Sequence, residues 1–552
     1  MKSKEWFVAD FETTSYRYYE EHGYTKVWLW AVCDQDANIV ERGTDIESFL
    51  LLAKRLAGKS IYFHNLKFDG SFILDYIMRN DYQYYEELKD VDKGFTTLIG
   101  EMGEFYSLDV KFGKGRTIHF LDSLKLLPFS VDKIAKDFGL PILKGKIDYD
   151  NYDITPEVIE YIDHDVKIIA MALRQIKEEG MNKMTTASCA YTSYSSMKSD
   201  TFMLKAFPKL DDAFLTEWRN AYRGGRSQVN PLYKDTILTG VKRYDINSMY
   251  PHIMRNMEMP YGNPIVCEKP NTFDFELYRV QISFRLRPNH LPSLLKKTSL
   301  FAGEDTYYVD SDGVEEIWLS SIDYKLLERN YEIEFVKFIK IYGFYTSKLM
   351  FFDYIDKWYA KKTVDKGAKK VVDKLMLNCL YGKFGSNHEG YHKIPVLDEN
   401  DAVNFIKSNV EPMTKYYLPL AIAVTSYAHL LIDDAIHATG ILNFVYCDTD
   451  SVHTLGDLPA GLIDNKELGK FKLEAIEDLS KYVRQKCYLT KEQGKITITC
   501  AGMPQNMKDS AIRIFGDDLF NYFTTGFEMS GKLIPKRVTG GTVLYETTFK
   551  IK

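Results

Sequence analysis

The sequence predicts a multidomain protein of mixed α/β and α+β architecture, and three observations carry that prediction. The chain has 552 residues, more than one hydrophobic core organises, so three or more domains are expected. Near the N-terminus, Trp6-Phe7-Val8-Ala9-Asp10-Phe11-Glu12-Thr13-Thr14 is a buried-strand pattern interrupted by two acids. In the C-terminal half, strand-like runs lead into further acidic segments at Asp245 and Asp448, while Gly367 to Tyr381 has the apolar spacing of a helix.

Composition narrows the function classes. Hydrophobic residues make up 45% and charged residues 27%, ordinary for a globular chain, so the 39 tyrosines stand out as flat surface with a polar tip. Net charge is −6, which argues against a uniformly basic surface. Between Lys357 and Lys383, however, eight lysines face two acids, Asp365 and Asp373, leaving +6 over 27 residues; a local patch of this kind suits phosphate. Seven cysteines include no C-x-x-C pair, which argues against a zinc site or disulfide framework and fits a reducing cytoplasm. The first ten residues hold a four-residue apolar run, too short for a signal peptide. The longest charge-free apolar stretch, Leu418 to Ile432, has 15 residues, short of the roughly 20 that cross a bilayer, so no membrane role is expected.

Taken in chain order, the first acidic cluster begins with Asp10 and Glu12. Two residues apart in a strand they share a face, and paired carboxylates in an apolar strand are costly unless a cation neutralises them. Asp69 follows in His64-Asn65-Leu66-Lys67-Phe68-Asp69-Gly70, after the strand-like Ile61-Tyr62-Phe63. Tyr161 and Asp165 lie at i and i+4 of a helical stretch and share a side. Asp10, Glu12, Asp69 and Asp165 are thus candidates to surround two metal ions, with Tyr161 orienting an attacking water; a turn before Gly70 is the plainer reading of Asp69. His64 and His164 lack the partners of a zinc site.

The second cluster is Asp245, after Val241-Lys242-Arg243-Tyr244, together with Asp448-Thr449-Asp450-Ser451, which begins 203 residues later. Ile441 to Tyr446 and Ser451 to Leu455 read as the arms of a hairpin. Strand alternation then points Asp448 and Asp450 one way and Thr449 the other, with Asp245 approaching from a neighbouring strand. Such a platform suits two hard divalent cations, and phosphoryl transfer requires that arrangement to activate an oxygen nucleophile and neutralise a pyrophosphate leaving group. A hairpin turn and an Asx turn would leave the same letters.

On the helix from Gly367 to Tyr381, Val371, Val372, Leu375, Met376, Cys379 and Leu380 form an apolar face, and Lys370, Lys374, Asn378 and Tyr381 fall on one stripe. Two ammonium groups a turn apart can grip a triphosphate and the ring can lie against a base or sugar. A solvated helix face has the same pattern.

Tyr446-Cys447-Asp448-Thr449-Asp450-Ser451 and Asp245-Ile246-Asn247-Ser248-Met249-Tyr250-Pro251 resemble the palm motifs of family B DNA polymerases, and their order and spacing resemble the small protein-primed members of tailed bacteriophages. The resemblance implies an RNase H-like 3′ to 5′ exonuclease domain over 1–188, followed by a right-hand polymerase domain. Its palm would span 189–255 and 418–499, its fingers 351–386, and a β-rich thumb 500–552. The 256–350 insertion would dock a terminal protein, and the 387–417 insertion would close a ring around template and product.

For the exonuclease, the resemblance implies that the four N-terminal acids bind metal, that Lys144 supports the scissile phosphate, and that Asn65, Phe68, Ser123 and Leu124 hold the single-stranded 3′ end. For the polymerase it makes Asp245 and Asp450 the chief metal ligands with Asp448 supporting. Tyr250 becomes the gate against a 2′-hydroxyl, and Lys362, Lys370, Lys374, Asn378 and Tyr381 hold the incoming nucleotide. Tyr222-Arg223-Gly224-Gly225, Ser248, Thr425, Thr449, Lys486 and Tyr488 would contact DNA, with phosphate contacts from Arg223 and Arg226. One position departs from the family: Thr425-Ser426-Tyr427-Ala428-His429 has histidine where the pattern has arginine, which puts primer grip in question.

The implied cofactor is Mg²⁺, two ions per site, with Mn²⁺ a substitute. The implied partners are template and primer DNA, dNTPs and a terminal protein, with the chain a monomer in the cytoplasm of an infected bacterium. Two other readings stay open: a 3′ to 5′ exonuclease whose C-terminal half only binds DNA, and a replication scaffold whose acids are structural.

Overall fold

A computed structural model describes residues 5–296, 306–414 and 416–552, so a short piece of the 256–350 segment and one residue of 387–417 lie outside the described residues. The N-terminal acids belong to a seven-stranded sheet ordered Ile39–Gly43, Val27–Asp34, Trp6–Thr13, Ser60–Phe63, Ile118–Asp122, Phe105–Phe112, Lys93–Ile99. Only the three central strands run parallel. Trp6–Thr13 is apolar on both faces because the Pro156–Glu178 helix covers one face and Phe49, Ile61 and Phe63 fill the other. That helix starts at a Thr155 cap with Pro156 in its first turn. The boundary drawn between 188 and 189 passes through one helix, Thr186–Ser196, which packs on Gly367–Phe384.

The second acidic cluster lies on a five-stranded antiparallel sheet ordered Phe471–Glu477, Val241–Ile246, Ser451–Thr454, Phe444–Asp448, Ser227–Val229. Asp448 pairs with Ser451, and Ser451 pairs with Asp245, forming one row across three strands. The expected hairpin is present, but alternation does not explain its side chains. Thr449 and Asp450 form the two-residue turn, with Thr449 at φ 60°, and Thr449 lines the same cavity as the two aspartates instead of pointing away. The left-handed residue swings the tip back over the sheet, where the Asp450 carbonyl accepts from the Ile246 amide at 2.8 Å.

Residues 256–350 build a four-stranded sheet, Met259–Val266, Tyr331–Ser347, Phe275–Leu286, Glu315–Ser320. Two hairpin pairings occupy the second insertion, the longer being Lys393–Leu397 with Val403–Lys407. The C-terminal segment is less purely β than expected: a Gln505–Phe515 helix precedes the hairpin Glu528–Val538 and Gly541–Lys550. The apolar stretch from Leu418 belongs to a 22-residue helix, Leu418–Thr439, whose most apolar window is 78% buried within the protein. It is a core helix, and its hydrophobicity is satisfied by packing.

The Leu418–Thr439 helix is bolted to the 256–350 sheet by buried polar groups. Asp433 accepts from Arg226 at 2.8 Å, Arg329 at 3.1 Å and Asn330 at 3.2 Å, while Ser426 donates to Asp323 at 2.8 Å. Both Arg226 and Asp433 are almost wholly enclosed. Breaking such a pair from one side strands a buried charge, so Asp433→Ala is expected to lower unfolding free energy by about 3–5 kcal/mol, read as a lower denaturation midpoint.

Candidate active site

An open cavity of about 570 Å³ is lined by Asp245, Asp448, Thr449, Asp450, Ser451, Glu474, Lys486 and Tyr488, with Arg243 and His453. Asp245 and Asp448 sit two strands apart, about 10 Å between backbones, and face the same side. Desolvation and the nearby Asp450 and Glu474 charges push the Asp245 carboxyl up to about 6. Lys486 ion-pairs with Asp448 at 2.8 Å. It stands at a turn with φ 53°, its amide donating to the Tyr446 hydroxyl oxygen at 3.1 Å. Tyr488 stacks behind on Tyr482, rings 5.3 Å apart.

Ser248, in a left-handed conformation, opens the helix Met249–Asn256 and accepts from the Lys362 ammonium at 2.7 Å. Tyr250 packs on Tyr381 with ring centroids 4.1 Å apart, so the two tyrosines singled out 131 positions apart form one surface. Lys370, Lys374 and Asn378 are exposed along Gly367–Phe384 as expected. Lys374 lowers the Asp450 carboxyl electrostatically, although desolvation outweighs it. The helix buries Val372, Met376, Leu377 and Leu380. Leu377 was outside the expected face, and Val371, Leu375 and Cys379 are only half buried, because the helix is covered on two sides, by Thr186–Ser196 and by Phe352–Val364.

Gly224, Gly225 and half-buried Tyr222 border this site. A Cβ on Gly225 would lie 2.8 Å from the Thr449 hydroxyl, and the Arg226 carbonyl accepts from the Thr449 amide at 2.7 Å. The glycine therefore lets the chain lie against the acidic turn. Arg223 does not reach phosphate: its guanidinium is buried and donates to the carbonyls of Leu295 at 2.9 Å, Trp318 at 2.9 Å and Ala221 at 3.2 Å. Arg226 is likewise spent on Asp433. Thr425 is a second correction, being buried with its hydroxyl bonded to the Ala421 and Ile422 carbonyls at 3.2 Å. His429 is a third. Its Nδ1 meets Asp323 at 3.2 Å and its Nε2 meets the Gly224 carbonyl at 2.6 Å, so the ring positions the glycine segment and offers nothing to a primer.

The N-terminal cluster gathers Asp10 and Glu12 from Trp6–Thr13, Asp69 from the first turn of Leu66–Arg79, and Asp165 from Pro156–Glu178. Desolvation and mutual repulsion raise Asp10 to about 7 and Glu12 to about 9, and hold Asp69 well above the carboxylate range. Lys144 ion-pairs with Asp165 and lies 5.1 Å from the Tyr161 ring centre. The Tyr161 hydroxyl is kept protonated by burial and meets Tyr149 at 3.3 Å. Asn65, at φ 87°, is exposed beside the cluster with half-buried Phe68 and Leu124. Ser123 is fully enclosed, its hydroxyl donating to the Phe63 carbonyl at 3.0 Å and meeting His64 at 3.0 Å, so it presents nothing to a DNA end.

Sequence reasoning missed two acids. Asp122 accepts from the amides of Asn65 at 3.1 Å and Leu124 at 3.0 Å, and so shapes the ledge on which both stand. Glu474 reaches the C-terminal cavity through a bulge: Arg243 pairs with Ala475 and Tyr244 with Leu473, leaving Glu474 the extra residue. No sequence signal marks the bulge, whereas the His64-Asn65 run and Asp122-Ser123 could have been linked by their strand ends.

Both clusters offer only carboxylate oxygens, the donor set of a hard divalent cation. The buried Oδ1 of Asp165 has no hydrogen-bond partner, and the raised carboxyls mark uncompensated crowding that a cation relieves. Among the described residues no three His, Cys, Asp or Glu side chains yet stand in a tight metal-binding group; Lys486 on Asp448 and Lys144 on Asp165 supply positive charge there instead. The donors fit the ions in chemistry.

Comparison with known proteins identifies the arrangement. The family model for DNA polymerase type B, organellar and viral, matches residues 55–153 and 150–465. The chain is 34% identical to the DNA polymerase of Bacillus phage M2 over 589 aligned positions, covering 100% of both chains. It is 34% identical to that of Bacillus phage phi29 over 583, covering 99% of both. The solved phi29 DNA polymerase with primer-template DNA superimposes with a TM-score of 0.90 at 31% identity, and its complex with incoming nucleotides with 0.89 at 32%, each over 100% of both chains. The two sheets thus correspond to an exonuclease domain followed by a polymerase domain of palm, fingers and thumb, and this chain belongs to the type B DNA polymerases, in their protein-primed phage branch.

Proposed function

We propose that this DNA polymerase elongates a primer on template DNA from dNTPs at the Asp245, Asp448 and Asp450 site, and trims mispaired 3′ ends at the Asp10, Glu12, Asp69 and Asp165 site. Two acid clusters on two separate sheets, each with its own lysine, are the observation that carries this reading. The family depends on a divalent metal ion; Mg²⁺, two per site and replaceable by Mn²⁺, would be held by those carboxylates, activating the attacking oxygen and neutralising the leaving group. Lys362, Lys370 and Lys374 face the triphosphate. Lys486 and Tyr488 hold the primer end on the opposite side of the acids. In the N-terminal site the protonated Tyr161 orients water and Lys144 faces the scissile phosphate.

Initiation on a hydroxyl side chain of a terminal protein, docked on the 256–350 sheet, and displacement of the non-template strand extend the proposal, as does action as a monomer in the cytoplasm of an infected bacterium. Membership in the protein-primed phage branch supports initiation on a protein hydroxyl. Primer extension on a circular single-stranded template, with and without dNTPs, tests the central claim. Long products with dNTPs and shortened primer without them are expected; no shortening would end the proofreading part, and no incorporation would end the whole. Adding the terminal protein with dATP should attach a nucleotide covalently to it.

The Tyr250 and Tyr381 rings, 4.1 Å apart and tilted by 31°, would pack beneath the sugar of the incoming nucleotide. Tyr250→Ala opens that packing, and discrimination against ribonucleotides is expected to fall by roughly 100-fold, measured as the ratio of kcat/KM for dNTP and rNTP. An unchanged ratio would remove Tyr250 from the gate.

A further inference from the structure

Arg243 precedes the Asp245 motif and belongs to none of the family elements, yet it lines the polymerase cavity beside Asp245. The two are alternate residues of Val241–Ile246, so they share a face, about 7 Å apart along the strand. From behind, Arg243 is faced by Glu477, whose carboxylate is wholly buried; Arg243 Nη1 lies 3.7 Å from Glu477 Oε1. That oxygen has no hydrogen-bond partner, while Oε2 accepts from the Tyr482 hydroxyl at 2.9 Å. His453 Nδ1 lies at the same 3.7 Å from that oxygen, and burial pushes the Glu477 carboxyl up to about 7, so the guanidinium is the charged neighbour that favours its ionised form, while about 29% of the Arg243 side chain stays exposed to the cavity.

The cations around the acids fall into two groups. Lys362, hydrogen-bonded to Ser248, and Lys374, beside Asp450, lie toward the Tyr250 helix, which follows Asp245. Arg243 precedes Asp245 on its strand, and its charge acts on Tyr488, the neighbour of Lys486.

We propose that Arg243, braced by Glu477, is a further DNA-backbone contact on the primer side of the polymerase site, taking a phosphate of the primer strand next to the one held by Lys486. The inference rests on the reading of Lys486 and Tyr488 as primer-side residues. A guanidinium fits a phosphate with two parallel hydrogen bonds, and the Glu477 carboxyl, 3.7 Å from Nη1, biases its orientation electrostatically from behind.

The test is binding of a primer-template duplex with a recessed 3′ end to the full chain without Mg²⁺, across a range of salt. R243A is expected to weaken Kd roughly tenfold and to flatten the plot of log Kd against log salt by about one phosphate contact. R243K, which keeps the charge, is expected to restore the slope but not the full affinity. E477Q should weaken Kd with the slope intact, because the guanidinium remains but loses its brace. Wild-type affinity and slope in R243A, while K486A alters both, would overturn the proposal, as would an R243K slope no steeper than that of R243A. Should K486A and R243A both leave binding unchanged, the primer-side reading fails as a whole. Loss of folding in R243A is detected by circular dichroism, and the R243K and E477Q arms then decide.

Discussion

Asp450→Asn lowers dNTP incorporation by roughly 10³-fold or more, an expected barrier increase of about 4 kcal/mol, while primer shortening at the N-terminal site continues. The side chain is nearly isosteric, so the change removes charge and leaves shape. Asp450 sits on the exposed turn between two strands, its carbonyl tied to the Ile246 amide, and the substitution does not disturb that backbone bond. Asp245→Asn should act alike, since the two carboxyls are electrostatically coupled across the cavity. Single-turnover extension of a labelled primer reads the effect. Incorporation within tenfold of the unaltered chain would exclude these carboxylates from the chemistry and leave a DNA-binding C-terminal half.

The second large effect is the converse. Asp10→Asn or Asp165→Asn is expected to reduce primer shortening by roughly 10³-fold and to leave extension near its original rate, because the acid clusters stand on different sheets. The same variants carry a stability signature. Asp10 and Glu12 titrate near 7 and 9 in the folded chain, above the ordinary carboxyl values of about 4. A raised carboxyl binds its proton more tightly folded than unfolded, so the ion-free fold loses stability as pH rises from about 4 toward 9. Without divalent ions the melting temperature should therefore decline across that window, and Asp10→Asn should flatten the decline. Mg²⁺ should raise the melting temperature of the unaltered chain at pH 8 more than that of the variant. Equal responses to Mg²⁺ would mean that the cluster holds no ion.

The Tyr250–Tyr381 contact, the buried Asp433 contacts and the Arg243–Glu477 pair share one structural cause. Each relies on segments far apart in sequence meeting around Val241–Ile246 and Leu418–Thr439. Asp433 joins Arg226 to Arg329 and Asn330, so the polymerase sheet, its core helix and the 256–350 insertion form one framework beneath Asp245, Asp448 and Asp450.

By itself the sequence determined the family, the two acidic clusters and their rough position. Asp10 with Glu12, Asp165 with Tyr161, and Lys370 with Lys374 were readable because strand and helix periods are local properties. The glycines at 224 and 225 were readable as a place of close approach, and the structure supplies the neighbour, Thr449. What the tertiary structure alone decided is which polar side chains face outward. Arg223, Arg226, Ser123 and His429 have the composition of a nucleic-acid surface, yet each finds a partner inside, on carbonyls or carboxylates contributed by distant segments, while Thr425 is buried with its hydroxyl on the preceding turn of its own helix. Glu474 and Asp122 took the opposite course, one placed by a bulge and the other by the meeting of two strand ends. The desolvation cost of a buried charge is met only by partners that folding brings together, and those partners are not encoded in the spacing of neighbouring residues.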